Sequence, residues 1–151
     1  MIIIADSSPI IALIGIQRLD LLRDLFDTVI ITDVVRGEIY HSLPDWIQVE
    51  TNYSKTLYES FRERLDAGEA SALAIASDID DARLIIDEIK GRKQAASLSI
   101  SFIGTIGLVI LAKQRGLIKN GKDVLQDLVD DGFWLSDTLF EKALLAMGES
   151  A

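Results

Sequence analysis

The sequence predicts a three-layer α/β/α domain with a central parallel sheet of four to five strands. Short apolar runs bounded by polar residues or Gly alternate along the chain with longer segments of helical periodicity. That alternation is typical of a parallel sheet covered by helices on both faces. The chain has 151 residues, 49% of them hydrophobic, which is enough to bury a sizeable core. We therefore expect residues 1–151 to form a single domain.

Four apolar or alternating runs are strand candidates, and a fifth run is a weaker candidate for an edge strand. The four are Ile2 to Ala5, Val29 to Ile31, Leu84 to Ile86 and Ser99 to Ile103, and the fifth is Trp46 to Val49. Each run is short and bounded by polar residues or Gly, as strands of a covered sheet usually are.

Capping residues predict where the helices begin. Ser8 precedes Pro9, and a hydroxyl ahead of a proline is typical of a helix N-terminus. The helix from Pro9 to Ile16 is continued by Leu19 to Phe26. The other predicted helices are one capped by Thr32 or Asp33 that runs to Tyr40, Lys55 to Leu65, Gly68 to Ser77, Lys90 to Ser97, Thr105 to Arg115, Lys122 to Asp130 and a last one opened by Ser136. We expect the C-terminal helices, about 117–148, to pack on the domain or to lie at an interface.

The composition excludes several kinds of chemistry. With no cysteine and one histidine, His41, the chain has no disulfide, no thiolate zinc site, no cysteine nucleophile and no cluster of histidine ligands. Carboxylates, hydroxyls, Lys and Arg, and borrowed metal ions remain. The net charge of −9 repels nucleic acid at long range, so any contact with nucleic acid is expected to be local.

The N-terminal residues and one uncharged segment bear on localisation. Met1 to Asp6 lacks the basic region of a signal peptide, and we expect a cytoplasmic protein. Ala95 to Ala112 carries no charge over 18 residues, which is near the lower limit for a membrane span. Serines alternate with apolar residues in its first half and Gly interrupts the rest, which favours a strand, a turn and a buried helix instead.

Two acids directly follow apolar strand candidates. Asp6 comes after Ile2 to Ala5, and Asp87 comes after Leu84 to Ile86. In a parallel sheet the carboxyl ends of the strands meet at one edge, where open α/β sheets bind their ligands. We therefore expect these two carboxylates to lie close together.

Two further acids have the spacing of buried helix positions. Glu38 falls on the apolar stripe of the helix that runs to Tyr40, since Val34 and Val35 lie four and three residues before it. Glu69 shares one helix face with Ala72, Leu73 and Ala76. Both side chains are therefore expected to point inward.

Each of the four acids also has an ordinary structural interpretation. Asp6 is placed to cap a helix, Glu69 to complement a helix dipole, Asp87 to end a strand, and Glu38 to reach solvent at an edge. Together they are harder to explain, because two carboxylates about 4 Å apart repel by roughly 4 kcal/mol at an effective dielectric of about 20. A cation relieves that repulsion, and ligation by oxygen alone suits Mg²⁺ or Mn²⁺.

The order Asp6, Glu38, Glu69, Asp87 resembles the PIN domain. The motifs that carry the resemblance are Ile4-Ala5-Asp6-Ser7-Ser8-Pro9, Gly68-Glu69-Ala70-Ser71-Ala72-Leu73, Leu84-Ile85-Ile86-Asp87-Glu88, Ile103-Gly104-Thr105-Ile106-Gly107 and Gly132-Phe133-Trp134-Leu135-Ser136-Asp137. More narrowly, the sequence is similar to an uncharacterised prokaryotic group of predicted nucleic-acid-binding PIN proteins. The similarity extends over nearly the whole chain.

The resemblance implies a metal-dependent ribonuclease, often the toxin of a toxin-antitoxin pair, with Mg²⁺ or Mn²⁺ held by the acidic quartet. The quartet positions match Asp6, Glu38, Glu69 and Asp87, and Ser7 matches the hydroxyl that commonly follows the first acid. Many PIN toxins carry Thr two residues before the last acid, where this chain has Ile85.

Two hydroxyls and the basic residues beyond Asp87 are further candidates for the site, and the expected RNA contacts are Ser7, Lys90, Arg92 and Thr105. Lys90, Arg92 and Lys93 are placed to hold an RNA backbone, or else form a solvated basic helix face. Thr105 either caps its helix or lines the site, and the cap is the simpler expectation.

Two kinds of association are expected. The last helix offers much apolar surface, which predicts a homodimer unless the domain's own core covers it; the residues are Leu139, Phe140, Ala143, Leu144 and Met147, with Phe133 and Trp134 nearby. The resemblance implies a cognate antitoxin, and an acidic pocket attracts a basic segment.

Two other functions compete with the nuclease. A catalytically silent PIN-like module would use the same pocket only to bind a basic protein partner. A response-regulator or phosphatase function fits poorly, because such sites need paired acids beside the first strand, where Asp6 is followed by Ser7 and Ser8.

Overall fold

The structure, a computed structural model, describes residues 1–150. Its central sheet is parallel throughout, in the order β3-β2-β1-β4-β5. The strands are β1 (Ile2–Ala5), β2 (Val29–Thr32), β3 (Ile47–Glu50), β4 (Ala82–Ile85) and β5 (Ser101–Ile103). All five strand candidates are therefore confirmed within two residues at each end, and the weaker one is an edge strand as expected.

Within residues 1–150, one or two helices separate each pair of successive strands, and three helices follow β5. In chain order they are α1 (Ser7–Gly15), α2 (Asp20–Phe26), α3 (Asp33–Gly37), α4 (Lys55–Arg62), α5 (Ala67–Ser77), α6 (Ile89–Ser97), α7 (Thr105–Gln114), α8 (Gly121–Asp130) and α9 (Asp137–Ala146). Each strand's pleat sends successive side chains to opposite faces of the sheet, so helices are needed on both.

Two apolar clusters fill the space on the two faces of the sheet. Ile3 and Ile85 belong to a cluster that also contains buried apolar residues of α1, α2, α7, α8 and α9. Ile4 and Leu84 belong to the other cluster, with buried apolar residues of α5. This separation confirms the predicted three layers, and it shows α8 and α9 packed on the domain.

Two helices differ from their predicted bounds in ways that affect the site. The first helix begins at Ser7 with Asp6 at its N-cap, so Ser8 is not the cap. The third helix is capped by the Thr32 side chain but ends at Gly37, and Glu38 is its C-cap. The expectation of a helix to Tyr40, with Glu38 inside it, is wrong. The last residue of the helix is Gly37, and Gly is a weak helix former.

The uncharged segment from Ala95 to Ala112 is divided among three elements. It contains the end of α6, all of β5 and most of α7, as its changing periodicity predicted. In residues 1–150, no helix is long and apolar enough to cross a membrane.

Candidate acidic active site

The carboxyl ends of two neighbouring strands bring Asp6 and Asp87 to one edge of the sheet. β1 pairs with β4 in a register that places Ala5 opposite Ile85. The backbone N–H of Asp6 then donates to the carbonyl of Ile85 at 2.9 Å, and Ile86 donates to Ile103 at 3.0 Å. The sheet pairing therefore continues past the strand ends and fixes the backbone from which both acids project.

Asp6 is a buried carboxyl, and one of its two oxygens has no hydrogen-bond partner within residues 1–150. Its exposed fraction is 3%, its side chain makes no capping hydrogen bond to α1, and its Oδ1 has no partner among the residues described. The pKa of Asp6 is raised to about 7, chiefly by burial; the Ser7 N–H lowers it, and the charges of Asp66, Glu38 and Asp87 raise it by smaller amounts. A simple capping role does not account for this environment.

Glu69 lies in the first turn of α5 and is buried in the same way. Its exposed fraction is 5%, and its Oε2 has no hydrogen-bond partner in the described part of the chain. Burial is the main cause that raises the pKa of Glu69 to about 8, followed by a hydrogen bond and the charge of Asp66, and then by the charges of Asp6 and Glu88. An acid that served only the helix dipole would lie in solvent.

Asp66 is a fifth carboxylate of this cluster, and the sequence analysis missed it. It is the N-cap of α5, where its side chain accepts the backbone N–H of Glu69 at 3.0 Å. Its charge raises the pKa of both Asp6 and Glu69. An Asp three residues before a Glu is a usual signature of a capped helix start. The predicted helix begins at Gly68, which places Asp66 outside it, whereas in the structure Asp66 is the N-cap.

Glu38 is held by a serine of the first helix. The hydroxyl of Ser7 donates to Glu38 Oε1 at 2.8 Å. This bond spans 31 residues of sequence and joins the start of α1 to the end of α3. Glu38 therefore faces Asp6 from outside its helix, and its charge is among those that raise the pKa of Asp6.

Asp87 is held by two donors from Thr105. The backbone N–H of Thr105 donates to Oδ1 at 2.7 Å, and its hydroxyl donates to Oδ2 at 2.6 Å. The N-cap of α7 is Gly104, so the expectation that Thr105 caps this helix is wrong. Thr105 instead lines the site through its two hydrogen bonds to Asp87. This donor comes from the neighbouring strand end, so Ile85 needs no hydroxyl to hold the last acid.

Three of the four expected RNA contacts, Ser7, Arg92 and Thr105, donate hydrogen bonds to other groups of the protein. Ser7 and Thr105 hold acids of the cluster. Arg92 donates to the carbonyl of Ile86 at 3.0 Å, with its guanidinium 4.0 Å from Asp87 and 5.7 Å from the ring of Phe102. Lys90 is exposed and forms no salt bridge within the described residues.

Three glycines lie next to three of the acids, and a side chain at any of these glycines would occupy the space that the carboxylate fills. A Cβ on Gly68 would overlap Glu38 Oε1, one on Gly91 would come within 3.0 Å of Glu69 Oε2, and one on Gly104 would come within 2.8 Å of Asp87 Oδ1. The carboxylates thus rest against bare backbone. Any larger residue at these positions would displace the acids or the helices that carry them.

A pair of buried hydroxyls fixes α5 against the sheet. Thr32 caps α3 through Val35 and lies 2.7 Å from the hydroxyl of Ser71, which donates to the carbonyl of Gly68. Both side chains are fully buried. The pair therefore sets the position of Glu69, two residues before Ser71, relative to Glu38.

The cluster has the donor chemistry of a divalent-cation site. Among residues 1–150, no three acidic or histidine side chains already stand in a metal-binding arrangement. The unpartnered oxygens of Asp6 and Glu69 and the glycine-lined space around the acids nevertheless fit a cation that binds oxygen ligands. Asp6 and Glu69 carry the unpartnered oxygens, and Asp66, Glu38 and Asp87 are the acids whose charges act on Asp6.

A family comparison places the whole fold in a known family. The family model DUF3368, described as a PIN domain, matches residues 2–149. Searches of curated proteins and of solved structures each return no match. The family match spans nearly the whole chain, including every acid of the cluster. On this evidence, with the parallel three-layer fold beside it, the chain belongs to the PIN domain family.

Proposed function

We propose that this protein is a metal-dependent ribonuclease that hydrolyses RNA phosphodiesters at the acidic cluster. The observation that carries the proposal is the pair of buried carboxyls, Asp6 and Glu69, each with an unpartnered oxygen, at the ligand-binding edge of the sheet. A fold retains such a costly arrangement when a ligand relieves it, and a divalent cation is the ligand that carboxylates favour. The PIN family, whose members are generally nucleases, supports the same function.

The chain's own residues prepare the site for a cation. Bound Mg²⁺ or Mn²⁺ would supply an electropositive centre that lowers the pKa of water and stabilises negative charge on a phosphodiester. Thr105 directs both oxygens of Asp87, and Ser7 holds one oxygen of Glu38, so these acids keep fixed orientations. Asp6 and Glu69 must release protons before they can act as ligands.

Cleavage of single-stranded RNA with and without metal tests this function. We expect cleavage with Mg²⁺ or Mn²⁺ and none in excess chelator, and we expect Asp6→Asn and Asp87→Asn to lower the rate by orders of magnitude. Asp80→Asn, a matched change at an exposed site, is expected to cleave normally. Equal cleavage by the Asp6→Asn protein would show that a contaminant is responsible.

We also propose that a protein partner inhibits the enzyme, as the antitoxin of a toxin-antitoxin pair would. An apolar groove of about 800 Å³ runs from Asp87 along α7 and α9, lined by residues such as Ile106, Ile110 and Leu139. Trp134 at its side is 80% exposed. A partner seated there could place a basic side chain among the acids. We expect that expression without the neighbouring genes arrests growth, and that a co-purifying protein reverses the arrest. If growth is unaffected, the toxin part of the proposal is wrong.

A homodimer is the other association we propose. Leu139 and Leu145 of α9 are 48% and 74% exposed, and Trp134, which is 80% exposed, lines the same groove as Leu139. Exposed apolar surface of this kind usually marks an interface. Light scattering at micromolar concentration is expected to give the mass of two chains, and the mass of one chain would contradict the dimer.

A further inference from the structure

We propose that a groove formed by Arg64, Lys90 and Lys93 binds the phosphate backbone of single-stranded RNA beside the acidic cluster. We call it the cationic groove. The inference rests on the proposed ribonuclease function and adds to it the surface that holds the substrate strand.

The cationic groove is a real concavity between two parts of the fold. It has a volume of about 590 Å³ and lies where the turn between α4 and α5 meets α6. Its lining residues are Glu63, Arg64, Leu65, Lys90, Lys93, Gln94 and Ser97. Lys90 and Lys93 are three residues apart on α6, so both project from one side of that helix.

The three basic side chains are available to a ligand. Arg64, Lys90 and Lys93 are all exposed. None of them forms a salt bridge within residues 1–150. The groove has one acid, Glu63, against three cations, so its local charge is opposite in sign to the net charge of −9.

The groove adjoins the acidic cluster at two points. Leu65, in its lining, directly precedes Asp66, which caps α5 and lies against Glu69. On the other side, Lys90 directly precedes Gly91, where an added Cβ would lie 3.0 Å from Glu69 Oε2. The segments that line the groove are therefore continuous with the segments that contact Glu69.

Electrostatics explains why such a groove is needed. A cation in the acidic cluster neutralises only the phosphodiester that it contacts, while neighbouring phosphates face an acidic protein. Lys and Arg side chains that contact phosphates supply affinity without reading sequence. The cationic groove gathers three of the chain's fifteen Lys and Arg residues, and its lining is continuous with the acidic cluster.

Salt dependence gives the expected size of the effect. For single strands each phosphate contact adds about 0.7 to the steepness with which log affinity falls against log salt. Three contacts add about 2, which corresponds to about 20-fold weaker binding between roughly 50 and 200 mM salt. The triple variant Arg64→Ala/Lys90→Ala/Lys93→Ala should lose this part of the dependence.

The test is fluorescence anisotropy with a labelled 12-nucleotide single-stranded RNA at several salt concentrations. The protein carries Asp6→Asn in Mg²⁺ buffer, so that the RNA stays intact. The control is Arg18→Ala/Lys119→Ala/Lys122→Ala, which removes the same charge at residues outside the groove. Circular dichroism of both variants checks that the fold is kept.

The expected result is weaker binding and a slope shallower by about 2 for the groove variant, with the control close to the parent protein. Equal changes in both variants would reduce the effect to net charge and overturn the proposal. A 12-residue polyglutamate peptide that binds the parent as tightly as RNA would assign the groove to acidic proteins instead.

The binding assay and the cleavage assay distinguish a failure of the groove proposal from a failure of the ribonuclease proposal. If wild-type protein never cleaves RNA but the groove variant alone loses binding, the ribonuclease function is wrong and the RNA-binding groove stands. If cleavage depends on metal but the groove variant binds RNA normally, the groove assignment is wrong and the ribonuclease stands.

Discussion

Replacing Asp6 with Asn should stabilise the metal-free protein at alkaline pH. The pKa of Asp6 is about 7 in the folded protein against 3.8 for an ordinary Asp, chiefly because the side chain is buried. A difference of about three pH units at 1.36 kcal/mol per unit corresponds to about 4 kcal/mol. At pH 8 the charged, buried carboxylate of Asp6 lowers the free energy of unfolding by this amount. The uncharged amide of the Asp6→Asn protein does not lower it.

The pH dependence gives the sign of the effect. Because the pKa is raised on folding, the contribution of Asp6 to stability is fully present below about pH 4 and is lost as the pH rises through 7. Asn is neutral throughout. The two proteins should therefore be nearly equally stable at pH 4, and Asp6→Asn should lead by up to about 4 kcal/mol at pH 8.

Urea denaturation in excess chelator, at pH values from 4 to 8, measures this difference. Thermal midpoints offer a second measurement, since 1 kcal/mol shifts the midpoint of a chain of this size by about 2–4 °C. Asp80→Asn, an exposed substitution, is the matched control and should change little at any pH. If Asp6→Asn is less stable than the wild type at pH 8, the carboxylate is not under the strain that its burial implies, and the reasoning is wrong.

Three further predictions concern the neighbours of Asp6. Thr105→Val removes a hydroxyl that donates to Asp87 at 2.6 Å, and it should weaken Mn²⁺ binding by about 10-fold to 100-fold in calorimetric titration, as losses of supporting bonds do; unchanged affinity would deny that this bond orients the acid. Gly91→Ala places a methyl group against Ile86 and Glu69, and urea denaturation should show a loss of about 1–3 kcal/mol; equal stability would mean that α6 shifts freely. Mn²⁺ binding should release protons near pH 7, because Asp6 and Glu69 are partly protonated there without metal, and titration in buffers of different ionisation enthalpy measures the number released; no release would contradict the raised pKa values.

The sequence alone was sufficient to predict the strands of the sheet and to place Asp6 and Asp87 at its edge. Apolar runs such as Ile2 to Ala5 have few ways to be buried except as strands of a covered parallel sheet. Once strands are recognised, an acid after each is placed at the ligand-binding edge by topology alone. That is why Asp6 and Asp87 could be located from the sequence.

The support of the acids could not be read from the sequence, because it depends on contacts between distant residues. The Ser7–Glu38 bond spans 31 residues and the Thr105–Asp87 bond spans 18. Periodicity placed Glu38 inside a helix, yet that helix ends one residue earlier, and periodicity says nothing about where a weak helix stops. Asp66 had a readable signal, the cap of α5, but its place beside Glu69 comes from the fold.

The most direct test of the central claim is the thermal stability of the protein with Mn²⁺ at pH 8. At 100 times the dissociation constant a bound cation stabilises the folded state by about 2.7 kcal/mol, which corresponds to about 5–10 °C for a chain of this size. Wild type and Asp80→Asn should both show this shift, and Asp6→Asn should show little or none. An equal shift in the Asp6→Asn protein, or no shift in the wild type, would contradict the assignment of the acidic cluster as a metal site.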